Sequence, residues 1–498
     1  MNKSFSLLLC SALLSACQEV KNNPDVFALE GEPDTLRYEQ ADFRWHVSPR
    51  HDYSKTLVGK LFLCQAEYDK EYMGLYKMRD NGKQTVYMTI EQAMEAIKVM
   101  DELTLGLPKI MYLVGWQYLG HDSKYPAFFE GNEALKRPGD ENALQSIRWL
   151  MDEARKYHTA VSLHINLFDA FTDSPLYEKY VREDVLARTK EGELIHGDWG
   201  YKVSYAAEWE KGLVQQRLDS LCRLLPVQAA GTIHIDAFHN KVPRPYAKDD
   251  GGAEIRFESP ISPWHGHTAE QDQEAKANIV QYLDQKGIDV TTEGVGGMGI
   301  GGLEDGYFPM YWHYNDLDHI MHLRADQACG GNVYGEACAF GMNLNVEQLF
   351  RSQPDLNEAA ESFKRDFCRT TLITQYLNRH GRAMLVRNGK GQSLGVLDDG
   401  IRTLLKDGRL CLAKDGVILC DEEAVLVPAP WVGEKALVAY SENGITDRTW
   451  NLPRELKPSR HAKAWTITPQ GRQPFETFSL KGQKLTITLA PGQMVVIN

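Results

Sequence analysis

The sequence contains no basic tract. With 68 acidic against 55 basic side chains its formal net charge is −13, a balance that argues against a surface built for nucleic acid or for anionic lipid. It has no Cys-x-x-Cys pair and no Cys/His cluster at zinc spacing. Of its nine cysteines, all but Cys10 and Cys17 are scattered along the chain, which excludes a disulfide scaffold or a structural zinc module. Cys411 and Cys420 flank the turn "AKDG" and form the pair that a hairpin would bring together. The Gly-x-Ser-x-Gly match, "GQSLG" (391–395), lies among the short alternating runs of the C-terminal part with no helix pattern after it, so it is not the strand-to-helix elbow of the usual serine hydrolase. The glycine-dense stretch "GVGGMGIGG" (294–302) lacks the P-loop Lys-Ser/Thr and no helix pattern follows it, so it reads as a loop. No glycine-rich dinucleotide turn follows an early strand. Beyond the N-terminus no apolar run reaches the roughly 18 residues needed to cross a bilayer.

The N-terminus itself carries a short apolar run after Lys3, "SFSLLLCSALLSAC", of the length of a secretory leader. Its end, "LLSAC", resembles a bacterial lipobox, which makes Cys17 the expected lipidated residue. Residues 1–17 are then a lipoprotein signal peptide and 18–40 a tether and lead-in. The expected location is the bacterial envelope, by lipid anchor alone, in the outer membrane.

The 498 residues, 43% of them hydrophobic, suffice for a large domain and a smaller one. From the lead-in to residue 382 apolar strand-like runs alternate with segments of helical period. The strand candidates are "KLFLCQAEY", "KIMYLVGW", "TAVSLHIN", "GTIHIDAF", "GIDVTTEG" and "NVYGEACAF"; helices are read in "TIEQAMEAIKVMDEL", with Thr89 as cap and Glu91 in the first turn, "ENALQSIRWLMDEARKYH", "VQQRLDSLCRLL" and "AEQDQEAKANIVQYLDQKG". That repeat predicts a (β/α)8 TIM-type barrel over 41–382. From 383 to 498 the texture changes to short alternating runs broken by Asp-Gly, Asn-Gly and Pro-Gly, which predicts an all-β sandwich domain.

In a βα barrel the reactive groups stand at the C-terminal ends of strands. "KIMYLVGW" runs into Trp116, Gln117, His121 and Asp122; "TAVSLHIN" ends at His164 and Asn166; "GTIHIDAFHN" supplies His234, Asp236, His239 and Asn240; "GIDVTTEG" supplies Glu293. Two carboxylates on neighbouring strand ends, among aromatics and imidazoles, suit glycoside hydrolysis, with one acid attacking or stabilising the anomeric carbon and the other protonating the leaving oxygen. Trp116, Tyr118, Trp199, Trp264, Tyr311 and Trp312 are available to pack on sugar C–H faces. The same imidazoles and carboxylates also offer metal ligands, and "SPWHGHTAE" adds two histidines on a loop expected at the pocket rim. A non-catalytic glycan-binding lipoprotein would need the aromatics but not the acid pair. The preferred reading requires no cofactor and no metal.

"KIMYLVGWQYLGHDSKYP", "VSLHIN", "IHIDAFHN" and "VTTEGVGG" together resemble the catalytic barrel of the endo-α-N-acetylgalactosaminidases, glycoside hydrolase family 101. The tail, "ALVAYSENGITDRTWNLP" to "KLTITLAPGQMVVIN", is similar to the β domain behind that barrel. The resemblance implies a retaining α-glycosidase that releases Galβ1-3GalNAc from Ser/Thr of mucin-type glycoproteins. It implies Asp236 as nucleophile, Glu293 as acid/base, and His121, Asp122 and Asn166 as sugar-binding residues, with Trp116, Gln117, His164 and His239 around them. Two departures stand out. Asp236 and Glu293 lie 57 positions apart, so the 241–275 region loops out as an insertion, and "LFDAFTDSP" after Asn166 offers Phe168 and Phe171 where the family has tryptophans. Exo action, or another α-linked sugar, stays open.

Overall fold

A computed structural model describes residue 27 and residues 33–37, 49–68, 80–195, 200–236, 238, 260–293, 307–310, 346–352, 355–388 and 390–498, with the dipeptides 244–245, 247–248 and 254–255. Cys17, Trp199, His239, Asn240, Tyr311, Trp312, the 294–302 loop and the strand read in "NVYGEACAF" lie outside the described residues.

Six parallel strands form one sheet: β1 (Leu57–Phe62), β2 (Lys109–Val114), β3 (Thr159–Ile165), β4 (Thr232–Ile235), β5 (Asp289–Glu293) and β6 (Tyr307–Met310). Their spatial order is their chain order. A doubly wound sheet reverses its strand order near the middle, whereas a barrel does not, so the barrel-type fold is the one observed. Between the strands lie α1 (Ile90–Thr104), α2 (Ala143–Glu153), α3 (Leu213–Leu224) and α4 (Ala269–Gln285). Thr89 caps α1 and Glu91 stands in its first turn, as expected, and Gln92 completes a capping box with Thr89. The helix Val346–Ser352 returns to the first strand, where a Cβ on Gly59 would lie 3.2 Å from Val346.

The two faces of these strands differ chemically. Met111, Leu113, Val161, Leu163, Ile165, Ile233, Ile235 and Val290 join the helices' Met94, Ile97, Ile147, Leu150, Leu218 and Ile279 in one buried cluster. The alternate residues are polar and bond to one another. Tyr112 Oη lies 2.6 Å from Thr232 Oγ1, Ser162 Oγ donates to the Thr232 carbonyl at 2.5 Å, and His234 Nδ1 lies 2.9 Å from Thr291 Oγ1. At the N-terminal end of the strands Asp289 accepts from the Arg50 and His51 backbone N–H groups (2.8 and 3.3 Å) and from Tyr53 Oη (3.1 Å), and the Arg50 guanidinium pairs with it at 3.2 Å. Residues 50–53 thus seal that end through Asp289.

The C-terminal domain is antiparallel. An eleven-stranded sheet runs from Pro33–Arg37 through Arg382–Asn388 to Gly471–Phe475, and a three-stranded sheet contains Ile445–Asn451, Lys484–Leu489 and Phe478–Lys481. Leu485, Ile487 and Met494 are buried in the shared core, which is the expected sandwich. At two hairpins, Asp407-Gly408 and Asp415-Gly416, both residues have φ between 49° and 78°, the left-handed pair that a two-residue turn needs. Cys411 and Cys420 are free thiols; burial holds the Cys411 thiol at about 11. The domain docks on α1 through Trp431, whose indole N–H donates to the Thr104 carbonyl at 3.0 Å while the Arg379 guanidinium sits 5.0 Å from its ring. The edge strand of the large sheet, Pro33–Arg37, comes from ahead of the barrel and pairs with Arg382–Asn388.

Candidate active site

The loop after β2 bears the most constrained backbone of the pocket. Tyr118, Asp122 and Lys124 all have φ between 43° and 63°, a left-handed conformation costing about 1 kcal/mol or more for each non-glycine residue. Ion pairs and hydrogen bonds hold it. Lys124 Nζ lies 2.6 Å from Asp173 Oδ2 and 3.1 Å from Asp80 Oδ2, and Ser123 Oγ donates to Asp80 at 2.9 Å. Two glycines let the loop cross the strand Cys64–Tyr68: a Cβ on Gly115 (φ 74°) would sit 1.9 Å from the Cys64 carbonyl oxygen, and one on Gly120 2.7 Å from it. The result sets the His121 ring 5.4 Å from Phe62 and 5.4 Å from His164, with His121 Nδ1 3.3 Å from Asp122 Oδ2.

His164, on β3, is 3% exposed, and neither of its ring nitrogens has a hydrogen-bond partner. Burial, then the charges of Lys60, His234 and His121, push its pKa well below that of an ordinary imidazole, so it is neutral at physiological pH. Its Nε2 lies 3.5 Å from Asp236 Oδ1. Asp236 begins the turn after β4; its backbone N–H donates to the Ile165 carbonyl at 2.7 Å, which fixes it to the tip of β3. One ligand atom each from His121, His164 and Asp236 lies within 4.8 Å of the others.

Glu293 closes β5, where its backbone is paired with Met310 of β6. On the other side Thr291 pairs with His234 and Thr292 with Ile235. Asp236 and Glu293 each follow directly on this last pair, at the ends of strands about 4.8 Å apart. Separation by 57 positions in sequence collapses to one step across the sheet.

Other candidates serve the framework. Trp116, expected to face sugar, is fully buried, and its indole N–H donates to the His164 carbonyl at 3.0 Å; it is a prop beneath β3, because the turn after β2 folds it into the core. Asn166 is likewise spent locally. Its Oδ1 accepts from the Phe168 and Asp169 N–H groups, both at 2.9 Å, and its Nδ2 donates to Asp169 at 2.8 Å. Asp169 is in turn paired with the fully buried Lys202 at 2.8 Å. Gln117 is buried and donates to Tyr125 Oη at 3.0 Å. Among the described residues Trp264 is the exposed large aromatic, 53% accessible, its indole N–H 3.1 Å from Asp184. His265 and His267 beside it face Asp184 (3.5 Å) and Glu210 (3.2 Å) and stand apart from the His164 group. Two wall residues went unmarked in the sequence reading: Phe62, whose aromatic side chain looked like one more strand residue, and Tyr125, whose hydroxyl lies in the field of Asp122 and Asp236 and titrates well above the ordinary tyrosine range, mainly through burial. Behind the Asp236 turn, Phe238 stacks edge-on against Tyr205 (5.4 Å), and Lys276 Nζ lies 4.9 Å from the Phe238 ring.

Residues 82–256 match the sequence model of the endo-α-N-acetylgalactosaminidase family of glycoside hydrolases. That span holds His121, Asp122, His164, Asn166 and Asp236; it stops before Glu293 and before the β domain. No curated protein matches the chain. Among solved structures, an α-N-acetylgalactosaminidase, NagBb, from Bifidobacterium bifidum aligns at 12% identity over 73% of this chain and 58% of that one, with a TM-score of 0.45. An α-amylase from Geobacillus thermoleovorans aligns at 8% identity over 90% of this chain and 99% of its own, with a TM-score of 0.38. The chain thus spans less than two thirds of the Bifidobacterium enzyme.

Proposed function

We propose that the chain is a retaining glycoside hydrolase acting on α-linked N-acetylgalactosamine, as Galβ1-3GalNAc or as GalNAc, on Ser/Thr of mucin-type glycoproteins. Asp236 attacks the anomeric carbon and Glu293 first protonates the glycosidic oxygen, then activates water. One observation carries this reading: the strand register that pairs Thr292 with Ile235, the residues just before Glu293 and Asp236, at the pocket end of the sheet. Retaining glycosidases work with carboxyl groups about 5–5.5 Å apart, and neighbouring strands bring residues to that range. Neutral His164 stands beside Asp236, its Nε2 3.5 Å from Oδ1, as an uncharged polar neighbour of the attacking carboxylate. Substrate choice rests on the family match of residues 82–256. The strained His121–Asp122 turn supports sugar-hydroxyl recognition, since strain of this kind persists where a fixed geometry is used. Anchoring through a lipid on Cys17 at the cell envelope is part of the same proposal.

Turnover of an aryl α-N-acetylgalactosaminide tests the assignment, with proton NMR following the first-formed anomer. The α-anomer is expected from the parent chain, Asp236→Ala should remove turnover with the circular dichroism spectrum unchanged, and Glu293→Gln should lose far more activity on a glycopeptide than on an activated aryl glycoside, which needs no acid. First formation of the β-anomer, or an active Asp236→Ala protein, overturns the mechanism.

A further inference from the structure

The group formed by His121, His164 and Asp236 has a property that sugar binding does not require. Its three donors are two imidazole nitrogens and one carboxylate oxygen, all within 4.8 Å of one another. The 3.5 Å between His164 Nε2 and Asp236 Oδ1 is close to the roughly 3.3 Å that separates two ligands of a tetrahedral zinc with bonds of about 2.0–2.1 Å. His164 is 97% buried, its ring nitrogens lack hydrogen-bond partners, and it lies against the acid. A buried polar group left in that state costs free energy unless something else satisfies it. The His121 ring has the second contact that metal-bound histidines show: Asp122 Oδ2 stands 3.3 Å from Nδ1, which turns Nε2 outward as the ligand atom.

We infer that His121, His164 and Asp236 form a reversible site for a zinc-class divalent transition metal, overlapping the position of the attacking carboxylate. Two imidazoles with one carboxylate select Zn2+, Co2+ or Ni2+ over Ca2+ and Mg2+, which want oxygen. Lys60, on β1, brings positive charge toward the His164 imidazole and pairs with Glu347 at 3.8 Å. Its repulsion sets the affinity below that of a four-ligand structural zinc and makes the ion exchangeable. A bound ion takes the lone pair that Asp236 would use in attack. Zn2+ is thereby a competitive inhibitor of the glycosidase, a consequence that rests on the nucleophile assignment; the metal site itself rests on geometry alone.

The experiment is a titration of the chelator-stripped full chain with Zn2+ by calorimetry and with Co2+ by visible absorption, alongside the parent's turnover. One equivalent of metal with a tetrahedral Co2+ spectrum is expected. His164→Gln, which keeps size and polarity, should abolish it, and Asp122→Asn should weaken it about 10–100-fold. Zn2+ should raise KM without lowering kcat, and excess chelator should reverse this. Absence of stoichiometric binding, or binding unchanged in both His164→Gln and His121→Ala, overturns the site whether or not the chain turns over substrate. Activity that disappears on chelation and returns with Zn2+ retains the site and overturns the two-carboxylate mechanism instead.

Discussion

Asp272 offers a quantitative test of how the pocket is supported. It lies in the first turn of α4, 2% exposed, with Oδ1 accepting from the Ala206 N–H at 3.3 Å and Oδ2 lacking a hydrogen-bond partner. Burial raises its pKa from 3.8 to about 6, against the lowering effect of the Ala206 N–H and of Lys276. In the unfolded chain the carboxyl ionises near 3.8, so between pH 4 and 6 the unfolded state releases a proton that the folded state retains. The fold therefore loses stability as pH rises through that window and holds level above it. A rise of about two pH units at about 1.4 kcal/mol each makes the loss about 3 kcal/mol. Asp272→Asn keeps an oxygen for the Ala206 N–H and removes the charge, so it should match the parent near pH 4 and exceed it at pH 7.5 by up to about 3 kcal/mol. Denaturant unfolding of both proteins at pH 4, 5, 6 and 7.5 measures the difference. Destabilisation by Asp272→Asn at pH 7.5, or a gap between the two proteins that does not grow from pH 4 to 6, refutes the reasoning. The helix Tyr205–Glu210 that Asp272 steadies carries Tyr205 against Phe238, so the same variant should leave KM unchanged at pH 7.5.

Two other substitutions bear on different parts of the chain. Gly115→Ala meets both φ 74° and a carbonyl 1.9 Å away, so it should cost well over the roughly 1 kcal/mol of the backbone conformation alone and shift the His121 loop, seen as a lower Tm together with lost activity; Gly139→Ala, at φ 88° with open space around it, serves as the control for conformation without clash and should keep activity. Cys17→Ser should abolish incorporation of radiolabelled palmitate in cells and move the protein from the membrane pellet to the soluble fraction; a labelled, membrane-bound Cys17→Ser protein refutes the anchor.

Much of the barrel was legible because its outer face repeats with period two. Met111, Leu113, Val161, Leu163, Ile233 and Ile235 meet helices whose own apolar residues recur on one side, and both patterns are local. The inner layer was not legible, since Tyr112, Ser162, Thr232 and Thr291 satisfy one another only across strands far apart in sequence. The same limit applied at the site. Asp236 and His164 were recognised from their places at strand ends, but that Asp236 and Glu293 follow one paired rung, Ile235 with Thr292, depends on register, which no single strand encodes. Trp116 and Asn166 were picked out as site residues by type and position. What each bonds to, the His164 carbonyl in one case and the Asp169 turn in the other, depends on the fold of loops whose geometry glycines and ion pairs set. Pro33–Arg37 read as lead-in because a five-residue strand with a distant partner leaves no periodic trace.

That early strand threads the two domains together. The polypeptide visits the large β sheet, leaves to build the whole barrel, and comes back to lie beside its own beginning. Cutting the gene at the apparent junction near residue 382 would strip the sheet of its outermost strand and uncover a row of unsatisfied amide and carbonyl groups along Arg382–Asn388, an invitation to intermolecular pairing. Any attempt to dissect this molecule should carry residues 33–37 with the C-terminal half, by circular permutation if necessary.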